Sequence, residues 1–166
     1  MLDGGCTALA SQVRPEPPAI SCPQDWRKTH ERFNVPRQGN TATVKGYKGE
    51  PREVIRVKDG SAVLEVGVPT SIGSVGDFPD GTLLLGAWKL GDNRLFGTFT
   101  EAKIPGEGTL PVCLVAGLEI VTRYVDEHGK GFDCPPGLGL CLDPGSSPGN
   151  AKTPTLVFLI RPSGQP

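Results

Sequence analysis

Glycine and proline punctuate this chain so often that no long helix fits between them. Proline lacks the N–H that a helix interior needs, and glycine loses the most backbone freedom on ordering. The 23 glycines and 17 prolines among 166 residues follow no period, which excludes a collagen-type helix and leaves a turn-rich β domain. The residues between them are mostly Val, Leu and Ile. The length suits one domain that buries about two-thirds of its unfolded surface, so folding requires no metal.

Periodicity divides the chain. Residues 1–20 read as a disordered tether, with Arg14-Pro15-Glu16-Pro17-Pro18 favouring an extended polyproline conformation. CPQDWRKTHERFN (22–34) predicts a helix of about two turns, with Trp26 and Phe33 bracketing its apolar side. TATVKGY (41–47) is rich in strand formers. EVIRVKDGSAVLEVGV (53–68) alternates on both sides of Asp59-Gly60, which predicts a tight hairpin.

TLLLGAWKL (82–90) and RLFGTFTEAKI (94–104) predict a second hairpin around Gly91-Asp92-Asn93, with Gly86 and Gly97 placed to face each other, where an aromatic ring can cover bare backbone. PVCLVAGLEIVTRYV (111–125) reads as strand broken near Gly117. Residues 126–153 form a loop-rich excursion, and TLVFLI (155–160) is a continuous apolar strand buried on both faces. The expectation is an all-β domain over 21–162 with about seven strands, one short N-terminal helix and a tail at 163–166. A β-sandwich is favoured, with a small barrel as the alternative.

Seventeen basic and 18 acidic residues intermingle to a net charge of −1, which is not the footprint of a nucleic-acid binder. The longest apolar run, LVFLI (156–160), is too short to cross a bilayer. Membrane contact is therefore expected only through a lipid anchor.

Five cysteines leave one over if the others pair. CPPGLGLC has the curvature to join Cys134 to Cys141, which would pin the excursion and contribute about 2.5 kcal/mol on a chain-entropy argument. Cys22 and Cys113 are then the second candidate pair, worth about 4.5 kcal/mol, fastening the helix to the sheet. Four cysteines allow three connectivities, so this pairing is a preference. Paired cysteines point to an oxidising, extracytoplasmic compartment, the periplasm or cell surface.

Cys6 is the odd one. Gly4-Gly5-Cys6, followed by small polar residues and a proline-rich spacer, resembles the start of a mature bacterial lipoprotein, which implies a lipidated Cys6 and a membrane-tethered protein. A second resemblance covers residues 81–114. Gly81, Arg94-x-x-Gly97-x-Phe99-Thr100, the Pro105–Gly108 turn and Pro111-Val112-Cys113 are similar to uncharacterised domains of myxobacterial-type bacteria. Some of those domains stand alone as lipoproteins and others are appended to membrane-bound Ser/Thr kinases. The resemblance implies no chemistry.

Catalytic signatures are missing from the sequence. His30 lies among Arg27, Lys28, Glu31 and Arg32 and reads as part of a solvated helix face. His128, with Asp126, Glu127 and Asp133, has neither EF-hand nor zinc spacing and reads as a polar loop. Ser71, Ser146 and Ser147 lie in loops outside any G-x-S-x-G turn. No cofactor, metal or catalytic residue is expected.

The binding candidates are Trp88, Phe96 and Tyr47. Trp88 and Phe96 read as a cross-strand pair, or, if both face solvent, as an anchor for a peptide or glycan. The pinned excursion is the other candidate surface. The reading is a non-enzymatic interaction or structural module of the cell envelope whose partner is an envelope protein or glycan. The alternatives are a sensor domain linked to a Ser/Thr kinase and a hydrolase of envelope polymers.

Overall fold

The computed structural model describes residues 19–36, 40–44, 54–67, 74–154 and 156–162. The fold is all-β and sandwich-like. Its single described helix is α1 (Trp26–Arg32). The strands are β1 (Asn40–Val44), β2 (Val54–Arg56), β3 (Gly60–Glu65), β4 (Leu83–Leu90), β5 (Arg94–Ile104), β6 (Gly108–Leu118), β7 (Thr122–Val125), β8 (Gly131–Cys134), β9 (Gly137–Leu138), β10 (Leu140–Cys141), β11 (Lys152–Pro154) and β12 (Leu156–Ile160). The main sheet is ordered β10-β5-β4-β3-β1-β12-β6-β9, and β5 also pairs with β6, so the ladder returns on itself. Its joins at β1–β3 (Thr43↔Glu65, Val44↔Leu64) and β12–β6 (Leu159↔Ala116, Ile160↔Val115) are short, whereas β4–β5 is paired along its length.

The bend comes from β5. Gly86 pairs with Phe99 and Leu85 with Glu101, while on the other side Phe99 pairs with Leu114 and Glu101 with Pro111. Thr100 is thus left out of both ladders, a β-bulge that reverses which residues face inward. Leu95 and Phe99 enter the core before it, Ala102 and Ile104 after it. The interior is completed by Ala62 and Leu64 of β3, Leu84 and Trp88 of β4, alternate residues of β6, and Val157 and Leu159 of β12.

The β4–β5 hairpin forms as its sequence predicts, with the Gly91 N–H donating to the Arg94 carbonyl at 2.7 Å. Gly86 and Gly97 do not face each other as expected; each faces an aromatic residue instead, Gly97 lying opposite Trp88 and Gly86 opposite Phe99. The two rings meet edge-on with centroids 5.4 Å apart, a favourable aromatic geometry. A Cβ on Gly97 would enter the Trp88 ring, and one on Gly86 would strike the Thr98 carbonyl.

The hairpin expected at Asp59-Gly60 does not form. β2 pairs with β11 and β3 pairs with β1 and β4, so Asp59-Gly60 is a corner between sheets. Asp59 Oδ1 accepts the Leu90 N–H at 2.6 Å, which ties that corner to the end of β4. The excursion is also more structured than a loop: β7 pairs with β8, β9 with β6, β10 with β5 and β11 with β2. β12 buries Val157 and Leu159 fully, while Phe158 and Ile160 on its other face are only partly covered.

Both favoured disulfides are present, Cys22–Cys113 across 91 residues and Cys134–Cys141 across 7, with Cα separations of 5.3 and 5.8 Å. They fit an oxidising, extracytoplasmic environment. No helix among the described residues is long and apolar enough to cross a membrane. Trp26 and Phe33 are buried as expected, with Phe33 stacked on Phe78 at 4.7 Å. His30, by contrast, is 2% exposed and faces β6 from the buried side of α1 instead of solvent.

Gly97→Ala should cost about 1–3 kcal/mol by overpacking against Trp88, read as a thermal midpoint several degrees lower. Gly67→Ala, where a Cβ meets nothing within 4 Å, is the control and should leave the midpoint unchanged.

Candidate recognition site

The aromatic candidates do not meet. Register places Trp88 opposite Gly97 and Phe96 opposite Lys89, so the two side chains point to opposite faces of the sheet. Trp88 lies in the core. Phe96 is buried on the outer face, in a crevice shared with Ile20, Leu138 and Gly139. Neither is an exposed anchor, because each covers glycine backbone that would otherwise be bare. Tyr47 and Cys6 lie outside the described residues.

A polar cleft of about 320 Å³ opens instead between the β4–β5 turn and segment 142–151. Asp92 and Asn93 form one wall; Asp143, Ser146 and Ser147 lie along the other. Its second wall is fixed from below. Asp143 is buried, its Oδ1 accepting the Gly145 N–H at 2.8 Å and its Oδ2 the Glu127 N–H at 3.2 Å. Ser146 Oγ accepts the Lys152 N–H at 3.0 Å and its hydroxyl reaches the Lys152 carbonyl at 3.4 Å. Glu127 grips the Lys152 ammonium with both carboxylate oxygens, at 3.1 and 2.9 Å. Polar side chains thus replace the long ladders that hold the rest of the fold.

The acidic residues near His128 are each engaged locally. Asp126 Oδ1 accepts the His128 and Lys130 N–H groups, and Asp133 pairs with Arg123 across the β7–β8 hairpin at 3.4 Å. His128 Nε2 lies 3.5 Å from Glu127 Oε1. Among the described residues no group of His, Cys, Asp and Glu is arranged to hold a metal ion.

On the far side of the excursion, Arg94 donates from Nη1 to the Gly139 carbonyl at 2.9 Å and from Nη2 to the Pro135 carbonyl at 2.7 Å. Its planar fork thereby holds the Cys134–Cys141 loop against β5. Burial pushes the Tyr124 phenol above its ordinary pKa, while the charge of Arg94 acts in the opposite direction. Tyr124 stacks on Phe132 and meets Phe158 edge-on, closing the outer face of β12.

The cleft offers hydrogen-bonding groups on a fixed frame. Within it the Ser146 hydroxyl is engaged by the Lys152 backbone, while His30, on the β6-facing side of α1, and His128, beside Glu127, lie outside its lining. Sequence reasoning missed Asp143 and Arg94. Asp143-Pro144-Gly145 carries a turn signal that could have marked the first, whereas Arg94 binds carbonyls about forty residues away, with no local pattern. No protein-family model matches the chain, and no curated protein or solved structure matches it significantly.

Asp143→Ala leaves the Glu127 and Gly145 N–H groups without their acceptor and should cost about 1.5–3 kcal/mol. Hydrogen exchange should rise in 126–130 and 143–152 while β4 and β5 stay protected. Asp143→Asn, which keeps one acceptor oxygen, should lose less.

Proposed function

We propose that this protein is a non-enzymatic interaction module of the cell envelope, tethered through a lipid on Cys6, that meets an envelope protein or glycan at the cleft between the β4–β5 turn and segment 142–151. The Cys22–Cys113 bond carries this reading. It joins the chain just beyond the proposed tether to the middle of β6, an arrangement suited to a domain held at one end. The side chains around the cleft support recognition over catalysis, since its buried carboxylate and its Ser146 hydroxyl are both spent on loop architecture. Ile120 and Val121, 74% and 59% exposed beyond the end of β6, offer a second, apolar contact.

Intact mass of the protein from its native membrane fraction, with thiol alkylation before and after reduction, tests the reading. The expected result is a lipid-sized increment on Cys6, with the other four cysteines alkylated only after reduction. An unmodified Cys6, or cysteines that all alkylate without reduction, would remove the envelope assignment.

A further inference from the structure

The register shift opposite Thr100 leaves Val112 and Cys113 of β6 outside the β5–β6 ladder, and the Cys113 N–H donates instead to His30 Nε2 at 3.1 Å. An imidazole that accepts at Nε2 carries its proton on Nδ1, so the docked His30 is neutral. Nδ1 is itself buried without a partner. The ring stands edge-on to Trp26 at 4.8 Å, and the Arg161 guanidinium lies 5.2 Å from the Trp26 centroid. The charged neighbours are Arg161, beyond β12, and Arg27, Lys28, Glu31 and Arg32 on the exposed side of α1. β6 presents only the uncharged Val112, Cys113 and Leu114.

We propose that His30 is an acid-operated latch: its protonation releases α1 from β6, while the Cys22–Cys113 disulfide keeps the released helix attached to the sheet. A protonated ring would aim an N–H from Nε2 at the Cys113 N–H, donor against donor. Cys113 would lose its acceptor, and a cation would sit in an apolar seam near Arg161. Burial, reinforced by the Arg161 charge, lowers the His30 pKa from 6.5 to about 4. A released His30 regains the ordinary value, so between those limits only the released form takes up the proton. Docking is therefore strongest above pH 6.5, weakens as the pH falls, and levels off below about 4. The full difference corresponds to roughly 300-fold in the docking equilibrium.

Hydrogen exchange on the oxidised full chain, corrected for intrinsic rates, reads the latch directly. Amides of α1 and of Cys113 should lose roughly 60-fold in protection between pH 7 and pH 4.5, while β4 and β5 keep theirs. His30→Gln, whose carboxamide accepts the Cys113 N–H without titrating, should show less than about a twofold change. Equal protection at both pH values would overturn the proposal, as would acid opening that persists in His30→Gln or spreads across the sheet. If His30→Gln does not fold, an NMR titration of the unsubstituted chain decides. The His30 ring, the Cys113 amide and the α1 amides should titrate together. A ring that titrates while α1 and Cys113 stay unchanged, or that remains neutral until the whole sheet unfolds, would refute the latch.

Discussion

Against β4, Thr100 is one residue more than the ladder can pair, and against β6 it faces two, Val112 and Cys113; much of the architecture follows from this irregularity. Inward-facing positions shift parity across it, so Leu95 and Phe99 on one side and Ala102 and Ile104 on the other reach the same core. A regular strand would turn half of these residues outward. Because β5 pairs with both β4 and β6, both ladders change register at this one residue. It also leaves the Cys113 N–H without a strand partner, and His30 supplies one.

The helix is held by the union of weak and covalent terms. Seven residues are too few for a stable isolated helix. Trp26, Thr29 and His30 bury its inner face, and Cys22 fixes the chain before it to β6. Arg32 pairs with Glu107 at the β5–β6 turn, and the Asp77 N–H donates to the Phe33 carbonyl, closing the other end. The helix therefore reports on its docking surface more than on its own sequence.

What could be read from the sequence was short-range. The β4–β5 hairpin was legible because alternation and turn residues agree over about twenty positions, and the two disulfides because loop curvature and strand position narrowed the choice. Asp59-Gly60 carried equally good turn chemistry and misled, since β2 finds its partner in β11, almost a hundred residues later. Trp88 and Phe96 read from the sequence as sharing one surface because the turn residues leave the pairing register open, and one residue of register moves a side chain to the other face. His30 looked solvated for a similar reason: its charged neighbours are exposed, and only β6 makes its own face interior. Asp143 at the cleft and Arg94 on the far side of the excursion both act on backbone groups; only Asp143 sits in a turn-forming stretch, and nothing local marks Arg94.

The Cys22–Cys113 bond also sets how the molecule would carry a mechanical load. Tension arriving along the chain ahead of Cys22 crosses the bond directly into β6, bypassing the 91-residue span that the disulfide closes. From β6 it can leave toward the C-terminus through β12, across the short Leu159↔Ala116 and Ile160↔Val115 join. The covalent shortcut shields residues 22–113 from extension, and a load leaving through β12 meets its ladders to both β6 and β1. Under traction β3, β4 and β5, which lie inside the closed span, would act as passive ballast.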